Sequence, residues 1–227
     1  MTRPRKIAYI SPTTGYTAEH LARWRDQLRG LVPEGFVVEL ESIAGGPEYF
    51  DEMRHFAQAL DAAPKFYAGL GDTDYQVAIA AGAIDPGLPL LREASPIPVV
   101  GPGEASLFLA ATDKRSLGLV TVDEHAVVKA EAFVEQTVTK PAIVGIRSID
   151  FPVRQLMGDQ AEADRRVREQ CRLAVEEDGA EAVYLACMPF GKLPCAASLA
   201  DELGVPIYNP WLIAVATAVE VARSLPS

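Results

Sequence analysis

The sequence predicts an α/β protein built as two similar halves, each with a mostly parallel four-stranded sheet flanked by helices. Two observations carry that reading. Short apolar runs rich in β-formers alternate with longer segments of helical period. One stretch of strand, small-residue loop, helix and Pro-led strand also occurs twice, over 77–104 and again over 183–211. The domains are accordingly expected at 1–100 plus 211–227, and at 101–210.

In order along the chain, the first half offers strands at 6–10, 36–42, 75–81 and 97–101, with helices at 17–31, 49–60 and 86–93. Thr17 is a natural N-cap for the first helix. Asp85-Pro86-Gly87 reads as a turn and helix cap. A helix at 104–111 follows, with Glu104 favoured at its start by the helix dipole. The second half offers strands at 116–122, 142–149, 182–187 and 205–209, helices at 125–136, 160–177 and 193–203, and a closing helix at 211–224. The helix at 160–177 is the most plainly amphipathic: Ala163, Val167, Cys171, Leu173 and Ala174 share a face, so Cys171 reads as packing.

The repeat places Gly82 and Cys187 at equivalent strand ends. Ligands of open α/β sheets bind beyond the carboxyl ends of the strands. Two halves facing each other, related by a pseudo-twofold axis, would therefore direct both loops into one interdomain cleft.

Composition narrows the partners. A net charge of −10 argues against a nucleic-acid surface and against an anionic membrane. The basic start at 1–6 is followed by an apolar run that stops at Ser11-Pro12, too short for a signal peptide, and no apolar stretch is long enough to span a bilayer. Three cysteines without a C-x-x-C pair fit a reducing cytoplasm, so the expected location is cytoplasmic. His20, His55 and His125 have no metal-ligand spacing; the first two read as surface or helix residues, and His125, near a strand end, is within reach of a cleft. There is no zinc motif, P-loop or dinucleotide-type glycine signature, so neither a metal nor a cofactor is expected.

Cys187 ends the strand "AVYLAC" and precedes "MPFG". A thiol there can face a cleft, with backbone N–H groups and a helix N-terminus favouring its thiolate. A buried cysteine ending a core strand is the plainer alternative. Cys195, at the start of the next helix, is given no direct role. The loop Ser11-Pro12-Thr13-Thr14-Gly15 offers hydroxyls and backbone N–H groups for a carboxylate or imide, a role compatible with capping the first helix. Asn209 lies at the second strand end of the repeat and is a further candidate to line the pocket.

Several segments, taken in order, resemble the aspartate/glutamate/hydantoin racemase family, most closely its hydantoin and allantoin racemase branch. "YISPTTG" is similar to the family's loop after the first strand, and "AAGAIDPGL" to the loop bearing its first cysteine. "PVVGPGEAS", "SLGLVTV", "IDFPVRQL" and "VREQCRLAVEEDGAEAVYLAC" resemble the later segments leading to its second cysteine. The resemblance implies a Rossmann-like two-domain, cofactor-independent enzyme, a homo-oligomer acting on a small molecule, in which two cysteines flank an acidic carbon. The second cysteine falls on Cys187 and the first on Gly82, which can carry no proton. Ser11 and Thr13 stand for family asparagines, and Thr121 for a hydroxyl that contacts a carboxylate. Ala83 and Asp123 stand at or near positions where arylmalonate decarboxylases of this superfamily carry hydroxyls, so that activity is not assigned.

The expected function is acid/base chemistry at an acidic carbon of a small carboxylate, imide or hydantoin-like substrate, with Cys187 transferring a proton on one face in isomerisation, decarboxylation or elimination. Backbone donors of the Ser11–Gly15 loop and of the Cys187–Met188 turn would hold developing negative charge. The absent side chain at Gly82 would equally leave room for a larger substrate. The alternatives are a hydantoin or amino-acid racemase with a substitute second acid such as Asp85, a covalent nucleophile at Cys187, and a small-molecule binding protein without turnover.

Overall fold

The computed structural model describes residues 3–50 and 52–226. Met1 and Thr2 of the basic start, Asp51 of the helix expected at 49–60, and Ser227 lie outside the described residues. The chain forms two compact units. The first holds residues up to Pro102 together with the stretch from Ala214 onward; the second is Gly103–Ile213.

The first unit contains β1 (Arg5–Ser11), α1 (Ala18–Leu31), β2 (Phe36–Ser42), α2 (Met53–Ala68), β3 (Tyr75–Ala80), α3 (Leu88–Ala94) and β4 (Val99–Val100). Helix α4 (Pro102–Thr112) leads into the second unit, which continues with β5 (Leu117–Thr121), α5 (Glu124–Gln136), β6 (Ile143–Ser148), α6 (Val153–Gly158), α7 (Gln160–Glu176), β7 (Ala182–Leu185), α8 (Leu199–Leu203) and β8 (Ile207–Tyr208). Helix α9 (Pro210–Ser224) carries the chain back into the first unit. The sheets run β2-β1-β3-β4 and β6-β5-β7-β8, and every pairing is parallel. The predicted α/β architecture of two four-stranded parallel sheets is what the chain adopts.

Burial explains the strand pattern. Ile7 to Ser11 of β1 and all of β5 and β7 are buried, as central strands covered on both faces must be, whereas edge strand β2 alternates. The first core joins Ala8, Ile10, Ala78 and Ala80 of the sheet to Ala63 and Tyr67 of α2 and Leu88 and Leu91 of α3. In the second unit α7 buries Ala163, Val167, Cys171 and Ala174, capped by the Asp159 carboxylate on the Glu162 N–H. Leu173, expected on that face, is only half-buried, because positions 163, 167, 171 and 174 track the 3.6-residue period more closely.

Element ends depart from expectation where hydrogen bonding outruns periodicity. Strand β7 stops at Leu185, two residues before the expected end, because the Cys187 N–H turns back to the Leu185 carbonyl (2.8 Å). The helix expected at 193–203 is instead one 3-10 turn, Pro194–Ala197, and then α8, with another 3-10 turn, Met188–Lys192, ahead of them; Pro194 has no N–H to continue a helix from the preceding turn. Helix α2 begins at Met53, where Glu52 and His55 cap each other, and runs through Pro64 to Ala68. The six-residue α6 is too short to show a period and was not expected.

Candidate active site

The two units build their strand-end loops alike. The Ala81 N–H donates to Ile10 O (2.9 Å), the Gly82 N–H to Ala80 O (2.7 Å) and the Asp85 N–H to Gly82 O (3.0 Å). In the second unit the Ala186 N–H donates to Val120 O (2.8 Å), the Cys187 N–H to Leu185 O (2.8 Å) and the Phe190 N–H to Cys187 O (3.0 Å). Gly82 and Cys187 therefore occupy the same position in two copies of one hydrogen-bonded frame. Ser11 and Thr121 correspond in the same way: their carbonyls accept from the Ile43 N–H (3.0 Å) and the Ile149 N–H (2.9 Å).

In the first unit Ser11 and Thr13 are buried polar residues at the end of β1. Ser11 Oγ donates to Thr13 O (3.0 Å), and Thr13 Oγ1 donates to Tyr16 Oη (2.9 Å). Tyr16, which sequence reasoning passed over, packs edge-on against Trp24 and Tyr49, and the Tyr49 hydroxyl donates to Gly15 O. The expected backbone cradle is corrected here. The Thr13 N–H turns to Ser11 Oγ (3.3 Å), and the Thr14 and Gly15 N–H groups donate to Pro47 O (2.9 Å) and Glu48 O (3.0 Å). Segment 47–48 runs alongside and takes these donors, and the exposed Thr14 hydroxyl also turns to Pro47 O (3.3 Å).

The space at Gly82 is not vacant. A Cβ there would stand 2.5 Å from Pro86 Cδ, so a side chain fits only if the proline ring moves. The apolar cavity beneath, lined by Ile10, Phe50, Tyr67, Gly82 and Pro86, measures about 20 Å³, the scale of one water. That small cavity adds no room for a larger substrate beneath Gly82. Ala83 is buried beside Gly82. Asp85 has a positive φ of 49° and forms the turn to Leu88, but Gly87, not Asp85, caps α3. The Asp85 carboxylate approaches Gly101, where a Cβ would lie 2.7 Å from its Oδ2.

In the second unit Cys187 opens the Met188–Lys192 turn. Cys187 is buried, as are Cys171 and Cys195; as a whole residue it keeps 8% exposure where the other two keep none. Burial pushes the Cys187 thiol up to about 12, against the Phe190 N–H and the Lys192 ammonium, which favour the thiolate, and with Asp123, which disfavours it. Desolvation outweighs the local donors expected to favour the thiolate, and raises the thiol. Cys171 is likewise pushed up to about 12 by burial, and Cys195 is raised by burial and by Asp164.

Thr121 is buried at the end of β5, its Oγ1 3.4 Å from Ala186 O, next to the thiol's strand end. Met188 is buried beside Cys187. Asn209 braces the turn: its Nδ2 donates to Gly191 O (2.9 Å) and its Oδ1 accepts the Trp211 N–H (3.0 Å). Asp123 caps α5 by accepting the Ala126 N–H (2.8 Å), and His125 is exposed in that helix's first turn. Glu104 lies in the first turn of α4, and His20 and His55 lie in α1 and α2. Among the described residues no group of three or more His, Cys, Asp or Glu side chains could hold a metal ion, and no helix is long and apolar enough to cross a membrane.

A parallel α/β frame is used twice, and each unit places polar residues at the ends of its strands, with a thiol in the second. Comparison with known proteins gives the class. The sequence pattern of the Asp/Glu/Hydantoin racemase family matches residues 7–218, and the chain belongs to that family. A hydantoin racemase from Pseudomonas sp. (strain NS671) is 29% identical over 213 residues, covering 90% of this chain and 80% of that protein. The allantoin racemase structure from Klebsiella pneumoniae superposes with a TM-score of 0.83 at 24% identity, over 96% of this chain and 88% of that one. A mutant arylmalonate decarboxylase in its liganded form gives a TM-score of 0.67 at 16% identity, over 99% and 94%. The chain is thus an enzyme of a racemase family whose fold is shared with a decarboxylase.

Proposed function

We propose that this enzyme works without a cofactor on a small carboxylate, imide or hydantoin-like substrate, and that Cys187 delivers a proton to one face of an acidic carbon. The observation that carries the reading is the matched frame around Gly82 and Cys187, which holds a thiol at one copy and hydrogen at the other. A neutral, buried thiol suits the role of donor: it arrives protonated and quenches a carbanion or enolate formed by loss of a neighbouring group. The Met188 amide, beside the sulfur, is the backbone donor offered to the developing negative charge. The Thr121 hydroxyl is offered to a substrate carboxylate. Donors of the Ser11–Gly15 loop have no part in this proposal, because they are already paired.

The likeness to a hydantoin racemase supports a second reading, racemisation with another group in place of the first cysteine. One experiment separates the two. Hydantoins, amino acids and malonates are incubated with the enzyme in D₂O and followed by NMR and chiral analysis. Release of CO₂ with deuterium on a single face supports the one-thiol donor. Exchange accompanied by inversion supports racemisation and overturns it. Tight binding with neither exchange nor product indicates a binding protein.

A further inference from the structure

The first unit carries a groove that shares no residue with the loops of the candidate active site. Helix α2 turns Ala59, Ala63 and Tyr67 into the core. A second stripe of the same segment, Ala62, Lys65, Phe66 and Gly69, follows the spacing of one helical face. That stripe lines a groove of about 680 Å³, the scale of a small-molecule site. Ala62 and Phe66 are partly buried against the core, as is Tyr75, and buried Leu70 completes the apolar wall. The wall is held in place: the Thr73 hydroxyl donates to Leu70 O (2.7 Å) and accepts the Tyr75 N–H (3.3 Å). At Gly69 the space is open, since a Cβ there would meet no atom within 4 Å.

Three charged side chains line the groove, Glu41, Lys65 and Asp74, and they differ in what they already hold. Asp74 is paired with Arg3 and Lys6. The Tyr75 hydroxyl lies 2.7 Å from Glu41 and 2.8 Å from Glu39, and Glu39 also has the Lys6 ammonium at 3.1 Å. A phenol has one proton and serves one carboxylate at a time. Glu41, with no cationic partner among the described residues, is therefore the carboxylate with acceptor capacity to spare. Lys65 has no ion-pair partner among the described residues either, so the two opposite charges stand on one groove without pairing to each other.

We propose that this groove binds a free α-amino acid with an aromatic side chain. Its ammonium meets Glu41, its carboxylate meets Lys65, and its ring lies against Phe66, Leu70 and Tyr75. Charge decides the class of ligand. A simple cation leaves Lys65 unanswered, and a simple anion faces Glu41 and Asp74, whereas a zwitterion complements both ends. The apolar wall between them suits an aromatic body. The inference is independent of the role given to Cys187.

The test is a ligand-observed NMR titration of the full-length chain with phenylalanine, phenethylamine and 3-phenylpropionate. Phenylalanine should bind with a Kd of about 1 mM, and each analogue, lacking one charge, about fivefold more weakly. Glu41→Gln should weaken phenylalanine about fivefold and leave 3-phenylpropionate within about twofold. Lys65→Met should do the same to phenylalanine and spare phenethylamine. Gly69→Trp, at a helical φ of −69° open to any residue, fills the groove and should abolish binding. Phenylalanine binding that survives in Gly69→Trp lies elsewhere, the candidate active site included, and overturns the inference. An analogue that binds as tightly as phenylalanine overturns it, as does no binding up to about 10 mM. A change of oligomeric state in Gly69→Trp, with no phenylalanine binding to the wild type, would show that a second copy covers the groove instead. Should Gly69→Trp not fold, the two charge variants decide, and wild-type affinity for phenylalanine in either overturns it.

Discussion

The loops after β3 and β7 share a backbone frame and differ in what braces it. In the first unit the loop residue Asp85 reaches toward a glycine at the strand corner, Gly101. In the second, the corner residue Asn209 reaches back to a glycine in the loop, Gly191. The side chain that lies between loop and corner belongs to the loop in the first unit and to the corner in the second. With the brace supplied from the corner, the second loop carries a thiol at 187 and a lysine at 192. The first loop spends its positions on closure, and Pro86 stands over Gly82.

The largest test of this contrast is removal of the thiol. Cys187→Ala should lower kcat by about 10²–10⁴-fold, the usual span for losing a positioned acid or base, with thermal stability nearly unchanged. Turnover within a few-fold of the wild type would mean that the second loop is no more specialised than the first. Cys171→Ala serves as the control and should leave turnover intact, because that side chain is sealed inside the α7 face.

The brace comes next in size. Asn209→Ala strands the Gly191 carbonyl and the Trp211 N–H, so a loss of about 1–3 kcal/mol in urea unfolding is expected, with faster alkylation of Cys187 as the turn loosens. Gly191→Ala should act in the same direction, since its Cβ collides with Asn209 Oδ1. If both variants unfold and label like the wild type, Asn209 does not hold the turn and the comparison of the two corners fails.

Much of this arrangement was legible in the sequence because it is repeated. The Pro-led strands and the loops ahead of them align by pattern, and Ser11, Thr13, Thr121 and Asn209, singled out as polar residues at strand ends, are four of the five buried polar residues among those described. Their tasks were less legible. Composition shows that Asn209 ends a strand, but only coordinates show that its amide is already occupied by Gly191 and Trp211. The Ser11–Gly15 donors looked available because nothing in the sequence announces that residues 47–48 lie against them. The thiol's state was misread for a similar reason. Local donors can be inferred from a turn, whereas desolvation depends on everything packed around it.

The smallest expected effect separates the units by pH. All three cysteines lie in the second unit and none in the first. Cys171 and Cys187 are pushed up to about 12, and Cys195 is also raised. An unfolded thiol ionises near 8.5, so between roughly 8.5 and 12 the folded state binds more protons than the unfolded one, and stability falls as pH rises. Below 8.5 the contribution is fully present. By pH 9 each buried thiol should have withdrawn roughly 1 kcal/mol. Urea midpoints measured at pH 7.5 and pH 9 should therefore converge in Cys171→Ala by about that amount relative to the wild type. Hydrogen exchange should show the excess alkaline loosening of the wild type in the strands of the second sheet and not in the first. An alkaline loss that is unchanged in Cys171→Ala, or shared equally by both sheets, would show that the thiols do not set this difference between the halves.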